Sequence, residues 1–162
     1  QQKKNKAAKN SLSKGLQFLP ENTTAIFQLG NIFLLEKNYE KALENYNEAI
    51  KIKSDFWQAI NNKGLIYFEI NQNLLALENF NKAIKINRNA ETLLALAAAI
   101  QIKNPQKSIL LAKEALQKNP NYVSFKYRKE QLWGENLQQA TKILFTKEEL
   151  QKDIELAKLY KN

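Results

Sequence analysis

The sequence predicts an all-α solenoid, about three helix-turn-helix repeats with terminal capping helices. Three observations carry this. The phrase KALENYNEAIKIKS at 41–54 returns as LALENFNKAIKINR at 75–88, a step of 34 residues from Ala42 to Ala76. Apolar residues recur at helical spacing along the chain, with little period-two alternation. The few Gly and Pro residues fall mainly where helices would end.

The elements follow in chain order. Within 1–22, Ala8, Leu12, Gly15 and Pro20 sit one period before equivalent residues downstream. That segment reads as the second helix of a partial repeat or as an N-terminal cap. The first full repeat is 23–56 and the second 57–90. Small residues recur at the eighth position (Gly30, Gly64), the twentieth (Ala42, Ala76) and the twenty-seventh (Ala49, Ala83). Aromatic residues recur at the eleventh (Phe33, Tyr67) and the twenty-fourth (Tyr46, Phe80). Small residues let two antiparallel helices approach, and large ones fill the holes beside them. A third repeat, 91–122, is two residues short; the deletion falls near KNPQK, where Pro105 should start the second helix. Residues 123–162 are helical caps. Here Val123, Leu132, Trp133, Leu137, Ala140 and Leu144 can pack, and Gly134 either breaks one helix into two or weakens it. A capping box from Thr146 to Glu149 should start the last helix, with a stripe at Leu150, Ile154, Ala157 and Tyr160.

IFQLGNIF at 26–33 and ALENYNEAI at 42–50 resemble the two helix signatures of the tetratricopeptide repeat (TPR). The third repeat keeps Leu94, Ala98, Ala115 and Pro120 of that pattern, while the second departs from it at Lys63 and Arg88. The resemblance implies a right-handed TPR superhelix acting as a protein-interaction scaffold. EQLWGENLQQATK in the tail resembles small TPR proteins of photosynthetic organisms, some of which assist photosystem assembly; this implies an assembly-factor role.

In such a frame the conserved-looking small and aromatic positions are scaffold, and the ligand groove is lined by the first helix of each repeat. The groove candidates are Phe27, Asn31, Leu34, Gln58, Asn61, Asn62, Leu65, Phe68 and Ile102. Apolar members would hold an apolar or amphipathic segment of a partner, and the amides would bond its backbone. The alternative is that the chain's own terminal helix or a neighbouring copy covers this face. One TPR subclass clamps a terminal carboxylate with Lys and Arg; here those positions are Phe27, Thr92 and Leu96, so the clamp is absent.

Composition narrows the function. The chain has no His and no Cys, which removes the commonest general base, thiolate nucleophiles and the usual zinc ligands. No phosphate loop or nucleophile elbow appears among four glycines. No enzyme activity, metal or cofactor is expected. The acidic series Glu36, Glu40, Glu44, Glu48 lies beside Lys37, Lys41 and Lys51, as on a solvated helix face. No apolar run reaches the ~18–20 residues that span a bilayer.

Net charge is +9, with five Lys against one Glu in 1–22. The basic N-terminal helix is therefore a candidate for contact with an anionic membrane surface. RNA binding by a helical-repeat protein is the runner-up function. Against it, the groove candidates are apolar or neutral, which makes nucleic acid the weaker partner reading. The chain lacks Met and begins at Gln1, so upstream residues are expected. Their content leaves the compartment open between cytoplasm and membrane tethering.

Overall fold

In the computed structural model, residues 2–161 are described; Gln1 and Asn162, the outer ends of the first and last segments above, lie outside them. The described residues form ten α-helices and two 3-10 turns, with no strand. They fall into two compact units, Gln1–Lys63 and Gly64–Asn162.

The first unit holds α1 (Gln2–Phe18), α2 (Thr23–Leu35), α3 (Tyr39–Ile52) and the opening turns of α4 (Trp57–Glu69). Asparagines start α2 and α3: Asn22 Oδ1 accepts from Ala25 N at 3.0 Å, and Asn38 Oδ1 from Lys41 N at 3.2 Å. These side chains satisfy amides that the first turn leaves without partners. Helix α2 packs on α3, and Gly30 is the point of closest approach: a Cβ there would lie 2.7 Å from Tyr46 Cε1. Ile26, Ala42, Tyr46, Ala49 and Ile60 are buried around that crossing. Helix α1 packs on α2, with a 2.7 Å ion pair from Lys9, midway along α1, to Glu36 at the end of α2.

The turns between paired helices carry a strained residue at the repeat spacing. Lys37 has φ 57° and Asn71 has φ 61°. In each turn the next amide reaches back into the preceding helix, Asn38 N to Phe33 O at 2.9 Å and Gln72 N to Tyr67 O at 2.8 Å. This is the left-handed helix ending that glycine fills most easily. Asn tolerates it, whereas Lys bears the Cβ penalty. Lys37→Gly should therefore raise stability by about 1 kcal/mol, read as a higher denaturant midpoint; a lower midpoint would contradict the turn described here.

The second unit contains the rest of α4, then α5 (Asn73–Ile86), α6 (Ala90–Ile100) and α7 (Pro105–Lys118). The 3-10 turn Pro120–Val123, α8 (Phe125–Glu130), α9 (Glu135–Leu144), the 3-10 turn Glu148–Leu150 and α10 (Gln151–Tyr160) complete it. Helix α6 is buried over nearly its whole circumference, and α5, α7 and α9 all pack against it. Leu93, Leu94, Ala95 and Ala97 are fully buried, and Ser108 Oγ donates to Ala97 O at 2.7 Å where α7 crosses. Pro105 is the first residue of α7, where its missing N–H costs nothing. The two-residue shortening lies in α6 itself, 11 residues long against 13 for α2 and α4.

Both departures from the repeat pattern have partners. Lys63 Nζ donates to Asn47 Oδ1 at 2.7 Å. Arg88 grips Glu114 with two parallel bonds of 2.7 and 2.6 Å. Those bonds hold the Glu114 carboxyl below the usual carboxylate range.

The tail differs from the sequence expectation at two places. The capping box Thr146–Glu149 does not form: Thr146 Oγ1 instead donates back to Ile143 O at 2.8 Å, closing the end of α9. A 3-10 turn then occupies 148–150, and α10 begins at Gln151 with no side-chain cap. Of the last stripe, Leu150, Ile154 and Ala157 are buried, whereas Tyr160 is 70% exposed near the helix end.

Candidate functional site

In the first unit the groove candidates separate into a polar knot and a rim. Tyr46 Oη donates to Asn31 Oδ1 at 2.7 Å, and Asn62 Nδ2 donates to the same oxygen at 2.9 Å. Asn61 Nδ2 lies 3.4 Å from Asn62 Oδ1. Asn61 and Asn62 are buried, so they orient Asn31 and offer little surface themselves. Leu34 is also buried. Phe27 is half-buried, its ring 4.9 Å from Phe56 and 5.7 Å from Tyr46. It therefore builds the unit as much as it faces outward. Gln58 is half-buried.

Beside Asn31 lies an open cleft of about 450 Å³, lined by Ala8, Ser11 and Leu12 of α1 and by Gln28, Asn31 and Ile32 of α2. With Oδ1 already accepting two bonds, Asn31 presents a donor to anything in the cleft. The α1 residues were not among the groove candidates, because α1 stands outside the two repeats that are complete in sequence. Their signal was the i, i+3, i+4 spacing of Ala8, Ser11 and Leu12, which puts them on one face of α1.

In the second unit the corresponding positions are covered. Leu65 is buried, and Phe68 is half-buried against the core that includes Leu137. Glu69 holds the start of α9. Its carboxylate accepts from Asn136 N at 3.2 Å and Leu137 N at 3.1 Å, and its own carbonyl accepts from Asn136 Nδ2 at 2.9 Å. A Cβ on Gly134 would run into that carboxylate, which is why the residue that precedes α9 is a glycine. Farther along, Gln101 Nε2 donates to Ala140 O at 2.7 Å. Ile102 is 90% exposed, since α6 stops at Ile100 and leaves it in the following turn. Leu34, Asn61, Asn62 and Leu65 therefore act as packing residues, and Ile102 stands off the helix on which the frame had placed it.

The clamp positions hold no cation: Phe27 lies among rings, and Thr92 and Leu96 are buried. Trp133 seals the tail, with Nε1 3.4 Å from Glu91 Oε1 and the Arg128 guanidinium 5.9 Å from its ring. Arg128 is 3% exposed and donates to Tyr122 O at 2.6 Å and Gln138 Oε1 at 2.9 Å. Burial lowers its pKa to about 10. Among the described residues no cluster of three or more His, Cys, Asp or Glu could hold a metal. No described helix is long and apolar enough to cross a membrane.

Residues 30–71 match a TPR repeat model, and residues 58–89 match a tetratricopeptide repeat model. Residues 30–89 are tetratricopeptide repeats. Solved TPR-fold neighbours agree in architecture. A MamA structure superposes with a TM-score of 0.65 at 18% identity, over 99% of this chain and 89% of that one. MamA 41-end from Desulfovibrio magneticus RS-1 does so at 0.65 and 18%, over 98% and 88%. The N-terminal domain of stress-induced protein-1 from C. elegans gives 0.51 and 21%, over 67% and 91%. At such identities the likeness is one of fold. No curated protein matches the chain by sequence.

Proposed function

We propose that this TPR protein is a non-catalytic scaffold that binds a peptide or helix of a partner protein, in the role of an assembly factor. The observation that supports the reading is the open cleft in the first unit. It joins small and apolar surface from Ala8, Leu12 and Ile32 to a fixed donor at Asn31. A peptide bound there would bury its apolar side chains and give Asn31 a backbone carbonyl.

Filling the cleft tests this without removing any packing, because Ser11 is exposed. Peptides selected from a displayed library against the full chain should bind Ser11→Trp at least tenfold more weakly, at unchanged melting temperature. Unchanged affinity would move the site elsewhere. Salt separates the competing reading: peptide affinity should hold between low and moderate salt, whereas RNA held by the lysines of α1 would weaken steeply. An RNA bound with that salt slope, and no peptide selected, would replace the scaffold reading.

A further inference from the structure

The second unit already contains a bound helix. Helix α9 lies on α6 with Leu137, Gln138, Thr141 and Leu144 buried, one face of a ten-residue helix. Its N-terminal amides are not capped from within, because its N-cap is Gly134 and makes no side-chain bond. Instead Glu69, 67 and 68 residues away in sequence, supplies both carboxylate oxygens to Asn136 N and Leu137 N. A carboxylate set at a helix N-terminus stabilises it through the exposed amides and the helix dipole. Sequence-local capping is thus replaced by recognition from a distant element.

The seat is also imperfect. Gln101 bonds Ala140 O and Ala98 O through Nε2, yet its Oε1 is buried with no partner among the described residues. An unsatisfied buried acceptor weighs against the docked state and is relieved when α9 lifts and water enters. The chain enters α9 through Leu132, held at φ 68°, which adds a second strained element at the point where the helix would detach.

We propose that the surface formed by α6 and the last turn of α4 is a helix-binding site, and that α9 is its intramolecular occupant. The partner it fits is an amphipathic helix with leucines spaced as Leu137 and Leu144, a small polar residue between them at the Thr141 position, and free N-terminal amides directed at Glu69. Such a helix binds by replacing α9, so binding is limited by the fraction of molecules in which α9 is undocked. This rests on the scaffold reading but concerns a surface remote in sequence from the α1–α2 cleft, and Ser11→Trp does not touch it.

The test uses the α9 segment itself as probe. A labelled peptide of residues 133–146 is titrated into the full-length chain and into its Leu137→Ala/Leu144→Ala variant. The variant's own α9 is weakened, so it should bind the peptide at least tenfold more tightly than wild type, and a peptide carrying both alanines should not bind. A variant that stays helical with a cooperative melt and binds no better than wild type would overturn the proposal. If the variant does not fold, hydrogen exchange on the wild-type chain decides. Amides of α9 should open together and at least tenfold faster than those of α6; equal protection of the two helices would show α9 to be ordinary core and end the idea. Failure of the Ser11→Trp experiment leaves both readouts unaffected.

Discussion

Gly64→Leu is expected to destabilise the protein by about 3 kcal/mol, the upper end of the usual cost of overpacking. A Cβ alone at this position would lie 2.5 Å from Phe80 Cε1 and 2.6 Å from Cδ1. Phe80 is fully buried, so its ring has nowhere to withdraw without moving α5. An opposing effect exists, since glycine inside a helix costs about 1 kcal/mol relative to alanine. For Gly64→Ala the gain in helix propensity offsets only part of the overlap with the ring, so the net change should still be destabilising, though less than for leucine. Combining Gly64→Ala with Phe80→Leu should cost less than the sum of the two, because the smaller leucine vacates the space that the added Cβ needs and the Cβ fills part of the void left by the ring. Denaturant midpoints check all three. An unchanged midpoint for Gly64→Leu would mean that α4 and α5 do not cross where described.

Trp133→Ala should cost about 3–5 kcal/mol, in the range found for large buried aromatic residues. The indole is 4% exposed, packs 6.1 Å from the Tyr122 ring, and covers the Arg128 guanidinium. Its loss removes packing and uncovers a buried cation. Among the described residues Arg128 makes no ion pair and relies on Tyr122 O, Gln138 and the rings of Trp133 and Phe145. Water would have to enter to solvate it. Helical signal against denaturant reads the effect. A midpoint unchanged by Trp133→Ala would mean that the indole does not seal Tyr122 and Arg128 as described.

The repeat architecture was legible because its determinants are local and periodic. Gly30 with Tyr46, and Gly64 with Phe80, are the same contact written twice, 34 residues apart. Pro105 likewise announces the start of α7 through its own backbone chemistry. What escaped the sequence depends on long-range choices. Nothing near Glu69 signals that its carboxylate will cap a helix 67 residues later, and nothing near Leu65 distinguishes a groove wall from a floor buried by neighbours. Thr146 shows the same limit at short range. Its hydroxyl bonds the end of the preceding helix at Ile143 O and so does not cap the next one. The asparagines carried more structure than their abundance suggested, since Asn22, Asn38, Asn89 and Asn104 each cap a helix.

The grip of Glu69 on α9 bears on modularity. Repeat proteins ordinarily grow or shrink by whole repeats, because each contacts only its neighbours and the array adds nearly independent terms. Here the tail reaches back past α5, α6 and α7 to the end of α4. An extra helix pair inserted between α7 and α8 would carry Gly134 and Asn136 away from Glu69 and strand both the carboxylate and the amides it serves. The number of helices between α4 and α9 is therefore set by the tail, and a version with an extra pair there would need a different one.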